Sequence, residues 1–357
     1  MVTAVNPLAQ PAAAPSSETR RAMSSGRVDE LVQAALAAAR DGATDASERA
    51  EMLMELAIGL QVRPKTPEHL QAAIGLYREA LEVCPAEQPL LAARIAARRA
   101  SALQAVPGDG TAELEQARAA YEEAIPTLDR LGLPQEVAEA EMNLGLVLQS
   151  LAACGRARIT DAIAAYQRSL RTFDACRYPV EFVVLQNNLA TAFLSIPFTD
   201  ERAKVREALA VQCFEEALRI VNVIDYPVEY AMLQNNLGNA LQYASSSHVV
   251  ENNIRAIAAY DEALRVRTRA NMPVEYANTI ANKANCLWNL PDAPENPVEG
   301  NRRNLAQART LYEEVYEIFL AHGETQKARI VAEAIVRLTT ELAEQGAAMR
   351  GETTRSS

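Results

Sequence analysis

Four asparagines recur at one register, Asn143, Asn188, Asn236 and Asn282, each nine residues after a proline: Pro134, Pro179, Pro227 and Pro273. Asn187, Asn235, Asn239 and Asn285 flank them. A carboxamide carries donors and an acceptor but exchanges no proton at neutral pH, so the chemistry on offer is hydrogen-bonded recognition. Asparagine is mediocre inside a helix because its amide competes for backbone hydrogen bonds. Four copies on one face therefore need a compensating partner. That partner is either a neighbouring repeat, which makes the amides an internal ladder, or a bound ligand.

Nothing else in the chain points to catalysis. The sequence holds no glycine-rich phosphate loop, no nucleophile elbow and no His pair on one helix face. His69, His248 and His322 are scattered, and Cys84, Cys154, Cys176, Cys213 and Cys286 form no C-x-x-C pair. Zinc-ligand spacing cannot be assembled from them. The chain is expected to be no enzyme and to use neither metal nor cofactor.

The net charge of −11 would repel a phosphate backbone and an anionic membrane alike, which argues against nucleic-acid and membrane partners. Basic clusters such as Arg94, Arg98 and Arg99, or Arg265, Arg267 and Arg269, are interleaved with acids and read as solvated helix faces. No stretch is apolar enough to span a bilayer and the first 25 residues lack a secretory apolar core, so a cytoplasmic location is expected.

The elements that must position the asparagines follow from spacing. Aromatics are only 5% of the chain, β-branched residues never alternate, and the apolar period is helical, which predicts an all-α fold. Residues 1–25 (rich in Pro, Ala and Ser) and 346–357 have no apolar face and are expected to be disordered tails around a repeat region at 26–345. Within it, a leading Ala-rich helix is predicted from about Val28 to Arg40, and a closing one from Glu324 to Glu344 that caps the array.

Six copies of one pattern set the repeat: an alanine, then an aromatic four residues on. These are Ala73/Tyr77, Ala117/Tyr121, Ala162/Tyr166, Ala210/Phe214, Ala256/Tyr260 and Ala308/Tyr312. Between them lie the prolines, each followed two residues later by Glu136, Glu181, Glu229 or Glu275. Proline at the first helical position and an acid at the third mark helix starts. Small residues at Gly145, Ala190, Gly238 and Ala284, with large ones three further on, let paired helices approach closely. The unit is an antiparallel helical hairpin of about 46 residues, repeated about six times.

This pattern resembles the tetratricopeptide repeat (TPR), over roughly residues 46–340. The Asn-Asn-Leu-Gly and Asn-Asn-Leu-Ala strings and the long unit resemble the variety found in kinesin light chains and bacterial signalling proteins. The resemblance implies a right-handed α-solenoid, a TPR-like superhelix. It also implies that the asparagines line a concave groove where they grip the main chain of a partner segment. The family's carboxylate clamp needs a cation one turn before these asparagines, where this chain has Glu139, Val184, Met232 and Asn278. A chaperone-tail clamp is therefore not expected.

The functional expectation is a protein-binding scaffold or adaptor, chaperone-like or regulatory, with a protein or peptide partner. The alternative is a regulatory receptor for a short peptide or small molecule. Insertions at Ser195–Glu201, Tyr243–Val250 and Leu290–Gly300 offer a second contact edge. Phe182, Tyr230 and Tyr276 are expected to pack within or between repeats, and Trp288 to be buried at a helix end.

Overall fold

A computed structural model describes residues 37, 45–62, 67–107, 111–196, 201–244, 248–296 and 300–353. The expected N-terminal tail, all but one residue of the leading Ala-rich helix, and residues 197–200, 245–247 and 297–299 of the three insertions lie outside them. The described residues form thirteen α-helices and no strand. None of these helices is long and apolar enough to cross a membrane.

The chain divides into two compact units, Met1–Arg158 and Ile159–Ser357. The first contains α1 (Ala46–Val62), α2 (Pro67–Val83), α3 (Pro89–Gln104), α4 (Thr111–Leu131) and α5 (Pro134–Ala153). The second contains α6 (Ile159–Ser169), α7 (Pro179–Leu194), α8 (Glu201–Leu218), α9 (Pro227–Gln242), α10 (Val249–Leu264), α11 (Pro273–Trp288), α12 (Arg302–Ala321) and α13 (Thr325–Thr353). The last helix continues past the boundary drawn at residue 345 from the sequence.

Proline opens α3, α5, α7, α9 and α11, where its missing N–H has no intrahelical acceptor to lose. Glu136 shows what the acid two residues later can do: its carboxylate accepts the Leu133 N–H at 2.8 Å, satisfying an orphan donor at the helix start. Hairpins α1/α2 and α3/α4 pack in the first unit, and α7/α8, α9/α10 and α11/α12 in the second, where α13 covers α12. First helices of neighbouring hairpins also touch, α1 with α3, α3 with α5 and α9 with α11, whereas no pair of second helices comes comparably close among the described residues. The first helices are thus the tighter layer of each unit.

The repeat registers explain this packing. All six alanines of the Ala-aromatic pattern are fully buried, and the aromatic that follows each is 8% exposed or less. At Gly238 a Cβ would lie 2.5 Å from the Tyr260 ring, so that helix pair closes to a distance only glycine permits. Phe214, Leu237 and Tyr260 centre one core of the second unit, and Ile280, Tyr312, Phe319 and Leu338 another. Leu53, Leu76, Tyr77 and Ile95 centre a core of the first.

Candidate functional site

The asparagines of the second unit form a chain of amides. Asn187 Nδ2 donates to Asn188 Oδ1 at 3.3 Å, and Asn236 Nδ2 donates across to Asn187 Oδ1 at 3.0 Å, linking α9 to α7. Asn235 Nδ2 reaches Asn236 Oδ1 at 3.5 Å, and the Thr279 hydroxyl on α11 lies 3.2 Å from Asn235 Oδ1. Arg267 Nη1 donates to that hydroxyl at 3.0 Å. Three consecutive first helices are so joined by side chains alone. Asn235 is buried, while Asn187, Asn188 and Asn236 keep a solvent-facing side.

Asn239 and Asn285 sit further along. The Tyr260 hydroxyl lies 2.8 Å from Asn239 Oδ1 and 2.9 Å from Gln242 Oε1. Asn285 Nδ2 donates to the Tyr243 hydroxyl at 3.3 Å. Asn282 is half-buried and makes no side-chain hydrogen bond among the described residues, and Asn188 Nδ2 is buried without a partner there. In the first unit Asn143 faces a small cavity that it shares with Ser101, Tyr121, Arg94, Arg98 and Glu139.

An apolar row runs beside the ladder. Val184 and Met232 each precede a register asparagine by one turn and so share its helix face. The Asn187–Asn236 bond joins the two helices that carry them. Val184 is 38% exposed, with Val180 and Val228 about half exposed one turn earlier. Apolar surface and free amide capacity therefore meet on one layer.

Two polar members of the ladder were not foreseen. Thr279 stands where the other first helices place Ala140, Leu185 and Leu233, and a hydroxyl at a buried apolar register is the signal that would have found it. Arg267 was expected on a solvated face. It instead turns inward onto Thr279, and burial pushes its guanidinium below its ordinary value. Arg94, Arg98, Arg265 and Arg269 do sit in surface ion pairs, with Glu136, Glu139, Glu262 and Glu314 respectively.

The hydrogen bond from Arg94 holds the Glu136 carboxyl below the usual carboxylate range, helped by the Leu133 N–H. A hydrogen bond from Tyr230, followed by one from Arg265, does the same for Glu262. Tyr230 and Tyr276 thereby tie first helices to second ones, through Glu262 at 2.7 Å and Glu314 at 3.2 Å. Trp288 is half-buried, edge-on to Tyr312 with centroids 6.5 Å apart, and donates to Glu341 Oε2 at 2.9 Å. Burial pushes the Cys286 thiol up to about 12, which keeps it protonated and unreactive. Among the described residues, no group of His, Cys, Asp and Glu is placed to hold a metal ion.

No protein-family model matches the chain, and no curated protein matches it in sequence. Solved structures do. The chain is similar to BtubC (BKLC) from P. vanneervenii at 21% identity, covering 72% of this chain and 93% of that one, with a TM-score of 0.47. It is similar at 15% identity to a signal transduction ATPase with numerous domains and a tetratricopeptide repeat sensor from Pyrococcus horikoshii, covering 88% of this chain and 42% of that one, TM-score 0.51. A Rap protein complexed with competence and sporulation factor matches at 13% identity over 94% of this chain and 90% of that one, TM-score 0.34. With the hairpin registers above, the second of these likenesses makes this chain a helical repeat protein, an all-α solenoid.

Proposed function

We propose that the chain is a non-catalytic adaptor that holds a segment of a partner protein against its first-helix layer, within a TPR-like array of the long-repeat variety. The observation that carries this reading is the apolar row Val180, Val184, Val228 and Met232 lying beside the asparagine ladder. A partner segment would bury its apolar side chains on the row and satisfy its main-chain groups on the amides that keep a solvent-facing side, whatever its other side chains. Asn235 and Asn239 hold the ladder and Tyr260 in register. Asn187, Asn188, Asn236, Asn282 and Asn285 would supply donors and acceptors to the partner, and Asn143 would do so within the first unit.

The absence of a cation at Glu139, Val184, Met232 and Asn278 turns the site away from a free C-terminal carboxylate and towards an internal stretch of chain. The net charge of −11 supports a protein rather than a nucleic acid or anionic membrane as the partner.

The test is affinity capture with the full chain as bait, beside the same chain carrying Val184→Glu and Met232→Glu. Both positions are partly exposed, so folding should survive, as a melting curve would verify. A protein held by the native bait and lost from the variant supports the reading, and equal capture by both refutes it.

A further inference from the structure

One hydrogen bond recurs at one register of this fold. Tyr77 donates to Gln61 Oε1 at 2.7 Å, and the Tyr260 hydroxyl lies against the carboxamides of Asn239 and Gln242. In both hairpins the second-helix anchor tyrosine is completed by a side-chain carboxamide from the first helix of the same hairpin. Tyr121 holds the same register on α4. Its hairpin partner α3 offers Ser101, twelve residues past Pro89, where α9 offers Asn239, twelve past Pro227.

Serine is too short for the task. Ser101 Oγ already accepts from Gln61 Nε2 at 3.1 Å. Burial pushes the Tyr121 hydroxyl above its ordinary value, and Ser101 and Asn143, which flank it, offset this only in part and do not complete a hydrogen bond with it. Tyr121 is 1% exposed, so a buried hydroxyl is left without a partner among the described residues, an arrangement that folded proteins rarely tolerate. A cavity of about 50 Å³ opens at this point, on the first-helix layer between α3 and α5.

The rim of the cavity selects the occupant. Arg94 is paired with Glu136 at 2.7 Å and Arg98 with Glu139 at 3.5 Å, so the ring of charges is balanced. A carboxylate or ammonium would find no spare counter-ion, whereas a neutral group with both donor and acceptor would find partners of both kinds. The volume suits roughly three non-hydrogen atoms, by comparison with the space that one water needs.

We propose that this cavity is a subsite for the side-chain carboxamide of a glutamine or asparagine on the bound partner. The partner would thus supply the group that the other two hairpins carry themselves. The Tyr121 hydroxyl donates to the carboxamide oxygen, and the amide NH2 donates to Asn143 Oδ1 and Ser101 Oγ. This deepens the adaptor reading and rests on it.

The subsite can be tested without the partner. The full chain, labelled with ¹³C on its tyrosine rings, is titrated with propionamide and in parallel with propionate, and the Tyr121 signal is assigned by its loss in Tyr121→Phe. Propionamide should move that signal along a saturating curve with a midpoint on the order of 10 mM, as befits so small a ligand, and propionate should not. Ser101→Asn, which restores the internal carboxamide, should abolish the response, while Ser101→Ala, which keeps the cavity open but removes one acceptor, should weaken it without abolishing it. A Tyr121 signal indifferent to propionamide, or moved equally by propionate, overturns the subsite. Because the probe is a small amide, its binding or failure to bind is independent of whether the capture experiment succeeds.

Discussion

Asn236 donates its side-chain amide to Asn187 across the α7–α9 interface at 3.0 Å, which makes each of these two residues a condition of the other's fit. A net hydrogen bond of this kind contributes about 1 kcal/mol, and orphaning a half-buried amide costs about 1–3. Asn236→Ala should therefore lower stability by about 1–2 kcal/mol. In a double-mutant cycle with Asn187→Ala, the coupling should exceed about 0.5 kcal/mol. Asn282→Ala, which breaks no hydrogen bond, should fall within about 0.5 kcal/mol of the parent in the same denaturant titrations.

Gly238→Ala tests the close approach of α9 and α10. The added methyl would meet the fully buried Tyr260 ring at 2.5 Å, and neither helix can yield cheaply, so a loss of about 1–3 kcal/mol is expected. Gly59→Ala, inside α1 with open space around its Cβ, should instead raise stability by about 0.5–1 kcal/mol. Thermal melts of the two variants should move in opposite directions.

The tyrosine hydroxyls separate in the same way. Tyr260→Phe strands the carboxamides of Asn239 and Gln242 and should cost about 1–2 kcal/mol. Tyr121→Phe removes a hydroxyl that has no protein partner among the described residues and should be neutral or slightly stabilising. Equal losses from the two substitutions would contradict the assigned hydrogen bonds.

Glu136 predicts a pH dependence. Its carboxyl is held below its ordinary value of 4.5 in the folded chain, so its contribution is complete above that value and is lost as pH falls through the lower folded one. Glu136→Gln should be less stable than the parent at pH 7, and the gap should narrow as pH falls below 4.5. A gap that does not change with falling pH would mean that the charge is not what matters.

Much of this was legible in the sequence, for a physical reason. Buried alanines and aromatics at fixed spacing admit little besides paired helices, and the N1 prolines marked helix starts; those of α2 and α3, followed two residues later by His69 and Leu91 instead of an acid, escaped that mark. The asparagines could not be apportioned between ladder and ligand, because a repeat copies a packing residue as faithfully as a binding one. Their partners lie 44 and 49 positions away, at Thr279–Asn235 and Asn236–Asn187, and only the stacking of hairpins brings them together. Arg267 looked solvated because its neighbours Arg265 and Arg269 are; its own inward turn depends on Thr279.

The most direct test of the adaptor account is site-specific photocrosslinking in the native cell, with a photoreactive amino acid placed at Met232 on α9 or at Leu209 on the second helix α8. Leu209 is 39% exposed, so reach to solvent does not bias the comparison against the control. The account predicts a discrete heavier adduct from position 232 and none from position 209. An adduct from position 209 alone would place the partner on the second-helix layer and contradict it.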